Sequence, residues 1–243
     1  MFGLDDEQLE GIKRGLLIGA AVLTLAVPPA LRHGAPAPLP QTSVQTPTPA
    51  AAIAPRAPDF ADHPNPSDDA RALAAGVLRS ADHGARPFAI IDKRDARLYI
   101  FAADGRLAGT TPILLGYASG DDTVPGIGER PIEQVRPHER TTPAGRFVAD
   151  RGRNTLGDNV VWIDYHAAVS MHPVRLTEPR ERRQQRLDSP TPSDNRISYG
   201  CINIPPAFFA DVVWPHFSIP GNVIYVLPEV KTVTDVFKHL LTA

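Results

Sequence analysis

Apolar and polar positions alternate in short bursts through the middle of this chain, a rhythm that predicts strands. Phe88-Ala89-Ile90-Ile91 and Leu98-Tyr99-Ile100-Phe101 are β-branched and aromatic runs, and Ala103-Asp104-Gly105 supplies a turn towards Leu107. Pro112 to Gly116, Arg146 to Ala149, Val160 to Tyr165, Val169 to His172 and Val223 to Leu227 continue the series. Helical signals flank it. Ser67-Asp68-Asp69 places side-chain oxygens and negative charge where a helix exposes free N–H groups, with Leu73, Val77 and Leu78 as its apolar side. Further helices are expected from Pro206 to about Trp214 and around Val233 to Leu241. Many short strands with few helices predict a mainly β domain over residues 85–229, with a short helix over 67–84 before it and a C-terminal helix over 230–243 after it.

The first part of the chain has another character. Gly15 to Leu31 carries no charge, is bounded by Arg14 and Arg32, and at about 1.5 Å per residue would span roughly 25 Å as a helix. Lys13 and Arg14 before it put the N-terminus in the cytoplasm and the remainder outside. Residues 1–32 are thus a membrane anchor or signal segment, and 15–31 are the part expected in the inner membrane. No small-x-small cleavage site of good form follows, which favours an uncleaved anchor; a buried helix of a cytosolic domain is the bland alternative. Residues 28–66 hold 11 of the 26 prolines, so the Pro/Ala-rich linker over 33–66 is expected to stay extended, with a reach on the order of 100 Å.

Composition narrows the chemistry. A formal net charge of −2 over 243 residues gives no electrostatic reason to expect nucleic acid as a partner. A single cysteine rules out an intramolecular disulfide and removes Cys-rich zinc sites; no metal site is expected. Ser119 to Arg140 and Pro173 to Asn195 do not read as regular structure. The second of these carries Arg175, Arg180, Arg182, Arg183 and Arg186 among Glu178, Glu181 and Asp188, as a solvated loop or as partners for substrate carboxylates.

The informative stretch is Ile197-Ser198-Tyr199-Gly200-Cys201-Ile202-Asn203-Ile204-Pro205. Gly200 permits a tight turn that exposes backbone N–H groups near Cys201, the expected oxyanion hole for a tetrahedral intermediate. A free thiol is only a few per cent ionised at neutral pH, so a working Cys201 needs a base beside it. His172 is first choice, ending a strand-like run before the long loop that leads back to Cys201; His166 and then His138 follow. The structural alternative is a buried, inert Cys201 and a hydrogen-bonded histidine.

These residues resemble the L,D-transpeptidase family, the YkuD-type catalytic domain of bacterial cell walls. His172 and Ser198-Tyr199-Gly200-Cys201-Ile202-Asn203 correspond to its histidine and its Ser/Thr-His-Gly-Cys-hydrophobic-Asn/Arg segment. Thr142-Pro143-Ala144-Gly145-Arg146-Phe147 is similar to a second family feature, and Ile91-Asp92, Arg97 to Phe101 and Asp104-Gly105 are similar to the family's start. The resemblance covers about 86–228 and implies a β-sandwich-like catalytic domain, cofactor-free, acting on peptidoglycan stem peptides through a cysteine thioester. It implies Cys201 as nucleophile, His172 as base, Gly200 and Cys201 as backbone oxyanion donors, and Ser198, Tyr199 and Asn203 around the substrate. The acceptor is expected to be a second stem or an amine-bearing envelope protein, and the location the periplasm. Two departures stand out: Tyr199 replaces the family's histidine, and the loop from His172 to Cys201 is longer than usual. A hydrolase or carboxypeptidase on the same scaffold, and a non-catalytic stalked wall-binding protein, are the competing readings.

Overall fold

The computed structural model describes residues 57–60 and 66–242; the expected membrane segment lies outside them. Among the described residues, no helix is long and apolar enough to cross a membrane.

Ten strands are seen among these residues: β1 (Phe88–Asp92), β2 (Arg97–Phe101), β3 (Leu107–Pro112), β4 (Leu115–Gly116), β5 (Gly145–Arg153), β6 (Asn159–Asp164), β7 (Val169–Pro173), β8 (Arg196–Ser198), β9 (Ile202–Ile204) and β10 (Asn222–Val226). Eight form one sheet in the order β3-β2-β1-β10-β5-β6-β7-β9, antiparallel except for the pairs β1–β10 and β7–β9. Leaving the β3 edge, the chain returns to the β9 edge, where Leu114 and Asn203 exchange two backbone hydrogen bonds of 2.9 Å. The sheet therefore nearly closes into a barrel. The mainly β expectation holds, and the sandwich-like layers take the form of one sheet bent over itself.

Alternation along the strands builds two apolar layers. Ala89 and Ile91 of β1 point into the interior with Leu98, Ile100, Met171, Ile202, Ile224 and Val226. Phe88 and Ile90 point outwards with Tyr99, Phe101, Val223 and Tyr225, beneath a helical cover. That cover is α1 (Asp68–Ser80), capped by Ser67 accepting from Ala70 N at 3.1 Å, and the last helix, α4 (Val233–Leu241), capped by Thr232. Burial on both faces is why β1 and β10 read as unbroken apolar runs. Between them in sequence lie α2 (Arg183–Leu187) and α3, residues 206–216, whose middle, Phe209–Val213, is π-helical. Phe209 and Val213 of α3 fill part of the interior.

Some elements differ from the sequence pattern. The expected Pro112–Gly116 strand divides into the end of β3 and the two-residue β4, because Pro112 has no N–H with which to extend the ladder. The irregular stretches are built from short 3-10 turns, and Leu187 of α2 anchors the second of them against Leu114 and Val174. Phe60, in the proline-rich stretch, packs edge-on against Tyr99 and Phe101, with ring centroids 6.1 and 5.5 Å away.

Lys93 and Asp121 are a buried charge pair. Lys93 Nζ donates to Asp121 Oδ1 at 2.7 Å, to Thr142 O at 2.9 Å and to Gly120 O. Asp121 in turn accepts from the backbone N–H groups of Glu229, Val230 and Lys231 at 2.8, 2.9 and 2.6 Å. Burial pushes the Asp121 carboxyl up, but Lys93 and these N–H groups outweigh it and hold it down at about 2.

The depressed carboxyl stabilises the fold above the ordinary carboxylate range, and that contribution is lost as pH falls through about 4 towards 2. Thermal melts should therefore show wild-type stability dropping by about 2 kcal/mol across that window. Asp121→Asn is expected to lose about 3 kcal/mol at pH 7, by leaving the buried Lys93 ammonium with Glu229, 3.5 Å away, as its remaining carboxylate, and to lack this part of the acid response. A variant as stable as wild type at pH 7 would refute the role given to the pair.

Candidate active site

Parallel pairing of β7 with β9 sets Met171 beside Ile202 and His172 beside Asn203. Side chains alternate along each strand, so Met171 and Ile202 enter the apolar interior while their neighbours face the other way. Ser170, His172, Cys201 and Asn203 thereby share one face. Ser170 Oγ lies 3.9 Å from Cys201 Sγ, and Asn203 Nδ2 lies 3.2 Å from His172 Nε2. His172, Ser198, Tyr199, Cys201 and Asn203 line one cavity of about 250 Å³ together with Arg183 of α2. Cys201 and His172, 29 positions apart in sequence, are thus brought together by a strand pair.

The turn that carries Cys201 is clamped on both arms by the stretch that closes the sheet. Leu114 pairs with Asn203, while Gly116 pairs with Ser198 and Tyr117 N donates to Ser198 O at 2.9 Å. Inside the turn, Gly200 N donates to Ser198 Oγ at 3.1 Å, and Ser198 Oγ donates to Cys201 O at 2.6 Å. The buried Thr142 hydroxyl accepts from Gly116 N at 2.9 Å and donates to Gly200 O at 2.8 Å. Both glycines are required by this approach. A Cβ on Gly116 would meet Arg140 O at 2.4 Å, and one on Gly200, whose φ is +127°, would meet Thr141 O at 2.7 Å.

His172 Nδ1 lies 2.9 Å from Pro173 O. A carbonyl only accepts, so Nδ1 carries a proton and Nε2 is the nitrogen able to take one. Cys201 Sγ donates to Ala168 O at 3.5 Å. Burial pushes the half-buried Cys201 thiol up, but the neighbouring His172, with help from Ser170, holds it below its ordinary value. Burial likewise pushes His172 down, and the Cys201 sulfur and the Pro173 carbonyl overcome this, leaving it above the ordinary imidazole value. The opposed shifts favour moving the thiol proton onto the imidazole.

Tyr199 is part exposed, and the Arg140 guanidinium sits 3.9 Å over its ring, itself held by two hydrogen bonds to Val135 O. His166 and His138, the other histidines considered, are exposed and do not line this cavity. Among the described residues, no group of acidic, histidine or cysteine side chains could hold a metal ion. Sequence reasoning missed Ser170, Thr142 and Lys93. Ser170 was within reach of it, two positions before His172 on an alternating strand; Thr142 stood in a quoted motif without a role; nothing marked Lys93.

The sequence matches no protein-family model and no curated protein. Among solved structures the chain is similar to an L,D-transpeptidase from Mycobacterium smegmatis, at 16% identity over 58% of each chain with a TM-score of 0.35. It is similar to the catalytic domain of an E. faecium L,D-transpeptidase at 20% identity, over 59% of this chain and 98% of that one, with a TM-score of 0.35. It is also similar to the helical cell shape determining protein of Campylobacter jejuni at 15% identity, over 60% and 49%, with a TM-score of 0.40. The chain spans 58% of the length of the M. smegmatis structure and 49% of the C. jejuni one. Likenesses of this strength do not fix a chemistry; the residues around Cys201 must.

Thr142→Val keeps the shape of the side chain but leaves Gly116 N–H and Gly200 C=O without their hydroxyl. The expected cost is about 2–4 kcal/mol in denaturant unfolding, with slower alkylation of Cys201, and Thr142→Ser should restore both. Wild-type alkylation by the valine variant would show that the hydroxyl does not position the turn.

Proposed function

We propose that this chain is a cysteine acyltransferase of the L,D-transpeptidase type, working on peptidoglycan stem peptides outside the cytoplasm. The observation that carries this reading is the pairing of Cys201 with His172 on one face of two adjacent strands, within one cavity, each shifting the other towards its charged form.

The proposed sequence follows from the atoms present. His172 Nε2 takes the proton from Cys201 Sγ, and the thiolate attacks the carbonyl on the L-side of a diamino-acid residue. The oxyanion so formed needs a donor. Gly200 N–H is held by Ser198 Oγ, which leaves the Cys201 N–H to supply it. Collapse expels the terminal D-alanine amine, which leaves with the proton from His172, and the acyl group remains as a thioester. An incoming amine then attacks the thioester and gives its proton to His172, and the thiolate departs. One amide replaces another, so no ATP is needed in a compartment that has none. Ser198 and Asn203 hold the turn and the histidine in this scheme, and Tyr199 forms part of the substrate wall.

Intact mass after exposure to a carbapenem, which acylates the cysteine of the family this chain resembles, tests the nucleophile. Wild type is expected to gain one adduct, Cys201→Ala none, and His172→Ala to acylate at least about 100-fold more slowly near pH 7. With tetrapeptide stems and an amine acceptor, cross-linked product is expected. Tripeptide alone would instead mark a hydrolase. An unacylated wild type, with wall binding unchanged in Cys201→Ala, would leave only a non-catalytic wall-binding protein.

The opposed shifts also fix the sign of a pH dependence. A lowered thiol and a raised imidazole put the acid limb of Cys201 alkylation below the ordinary thiol value of about 8.5. Half-maximal alkylation by iodoacetamide at or above that value would sink the pairing.

A further inference from the structure

Arg183 is the point at which the insertion between His172 and Cys201 reaches the site. Its Nε pairs with Glu181, its Nη1 donates to Asn203 Oδ1, and its side chain shares the cavity of Cys201 and His172. A guanidinium has donors only, so Asn203 must turn its carbonyl oxygen to Arg183 and its NH₂ to His172. That NH₂ donates to Nε2 at 3.2 Å, while Nδ1 is committed to Pro173 O. The nitrogen that has to receive the thiol proton is already receiving an amide N–H. Once protonated, Nε2–H would face a second donor. Proton transfer therefore requires the Asn203 amide to turn over, and Arg183 resists that turn.

We propose that Arg183, acting through Asn203, holds the resting site with His172 unprotonated at Nε2, and that a carboxylate of the incoming peptide releases this hold by engaging the guanidinium. The proposal rests on the reading of Cys201 and His172 as nucleophile and base. It makes Arg183 a positioning residue and the substrate an anionic peptide. When the hold is released the proton passes from Sγ to Nε2, leaving a thiolate and an imidazolium, with no other reactant.

The surrounding charges leave Arg183 in that role. Glu181 is paired to Arg183 itself, and Arg175, which also borders His172, is paired with Asp158. Arg153 lines a second cavity that His172 also borders and donates to Gly157 O. Tyr199 is stacked beneath Arg140. The positive charge of Arg183 pulls His172 down, against the raising effect of the Cys201 sulfur, so its electrostatics and its geometry act in the same direction.

Cys201 is the only cysteine, so alkylation of the full chain reports on it alone. Iodoacetamide is neutral and iodoacetate carries a carboxylate; rates with each are measured against pH for wild type, Arg183→Met and Arg183→Gln. In both variants the acid limb with iodoacetamide is expected to move to lower pH. The ratio of iodoacetate to iodoacetamide rates is expected to fall about tenfold, the loss of one charge-assisted carboxylate contact. Arg183→Lys, which keeps the charge and a donor, should retain wild-type behaviour and so separates loss of the hold from loss of fold. An unmoved acid limb or an unchanged ratio, with Cys201 still alkylated, overturns the role of Arg183 and leaves the nucleophile assignment standing. A wild-type Cys201 that neither reagent modifies at neutral pH overturns both.

Discussion

The hydroxyl of Thr142 joins the three segments on which the site is built. It binds the backbone of Gly116, where the sheet closes, and the backbone of Gly200, where the reactive turn begins. Its own carbonyl is fixed by the buried Lys93 ammonium, and Lys93 by Asp121, whose carboxylate gathers three successive N–H groups of residues 229–231. A line of buried polar contacts thus runs from the approach to α4 to the atom before Cys201. Each of these groups would cost about 1–3 kcal/mol if left unpaired in the interior, so the line is either complete or badly destabilising. The position of the sulfur thus depends on contacts remote from Cys201 as well as on its own, those of its carbonyl with Ser198 and of its sulfur with Ala168 O.

This explains what could and could not be read from the sequence. β1, β2 and β10 were legible because a strand buried on both faces is a continuous apolar run, and nothing competes with that signal. The strand-end placement of His172 was legible for a related reason: Val169 and Met171 are inward positions and the histidine follows Met171, out of phase with them. β8 and β9 were not legible. Three residues carry no period, and Ser198-Tyr199-Gly200-Cys201 has the composition of a turn, so their pairing depends on Leu114 to Tyr117, about 85 positions away in sequence. Lys93 was invisible because a lysine after a strand is ordinarily exposed, and only the tertiary structure supplies the carboxylate and carbonyls that let it be buried.

The insertion from Pro173 to Asn195 shows both sides of its mixed composition. Arg186 serves the loop itself, binding Glu181 O and Asp194 O, while Arg175 ties it to Asp158 between β5 and β6. Leu187 enters a small apolar cluster and fixes the loop to the domain. With those contacts made, Arg183 has a defined place, and it is the guanidinium of the insertion that binds Asn203. Charge alternation left a solvated loop or carboxylate partners open, and two buried apolar residues in 23, Val174 and Leu187, are enough to anchor the segment.

The proton economy of the site follows from Tyr199. Transfer through a thioester needs a proton taken from the thiol, given to the departing amine and taken again from the arriving one. Tyr199 is occupied beneath the positive charge of Arg140 and stands outside these transfers. In the proposed reaction all three transfers pass through His172 Nε2, since Nδ1 is bound to Pro173 O throughout. A base that serves every step must be free to change its hydrogen-bond partner at each one. The partner it has at rest is Asn203, and Asn203 is oriented by Arg183. In that proposed reaction, control over one amide group is control over every proton transfer.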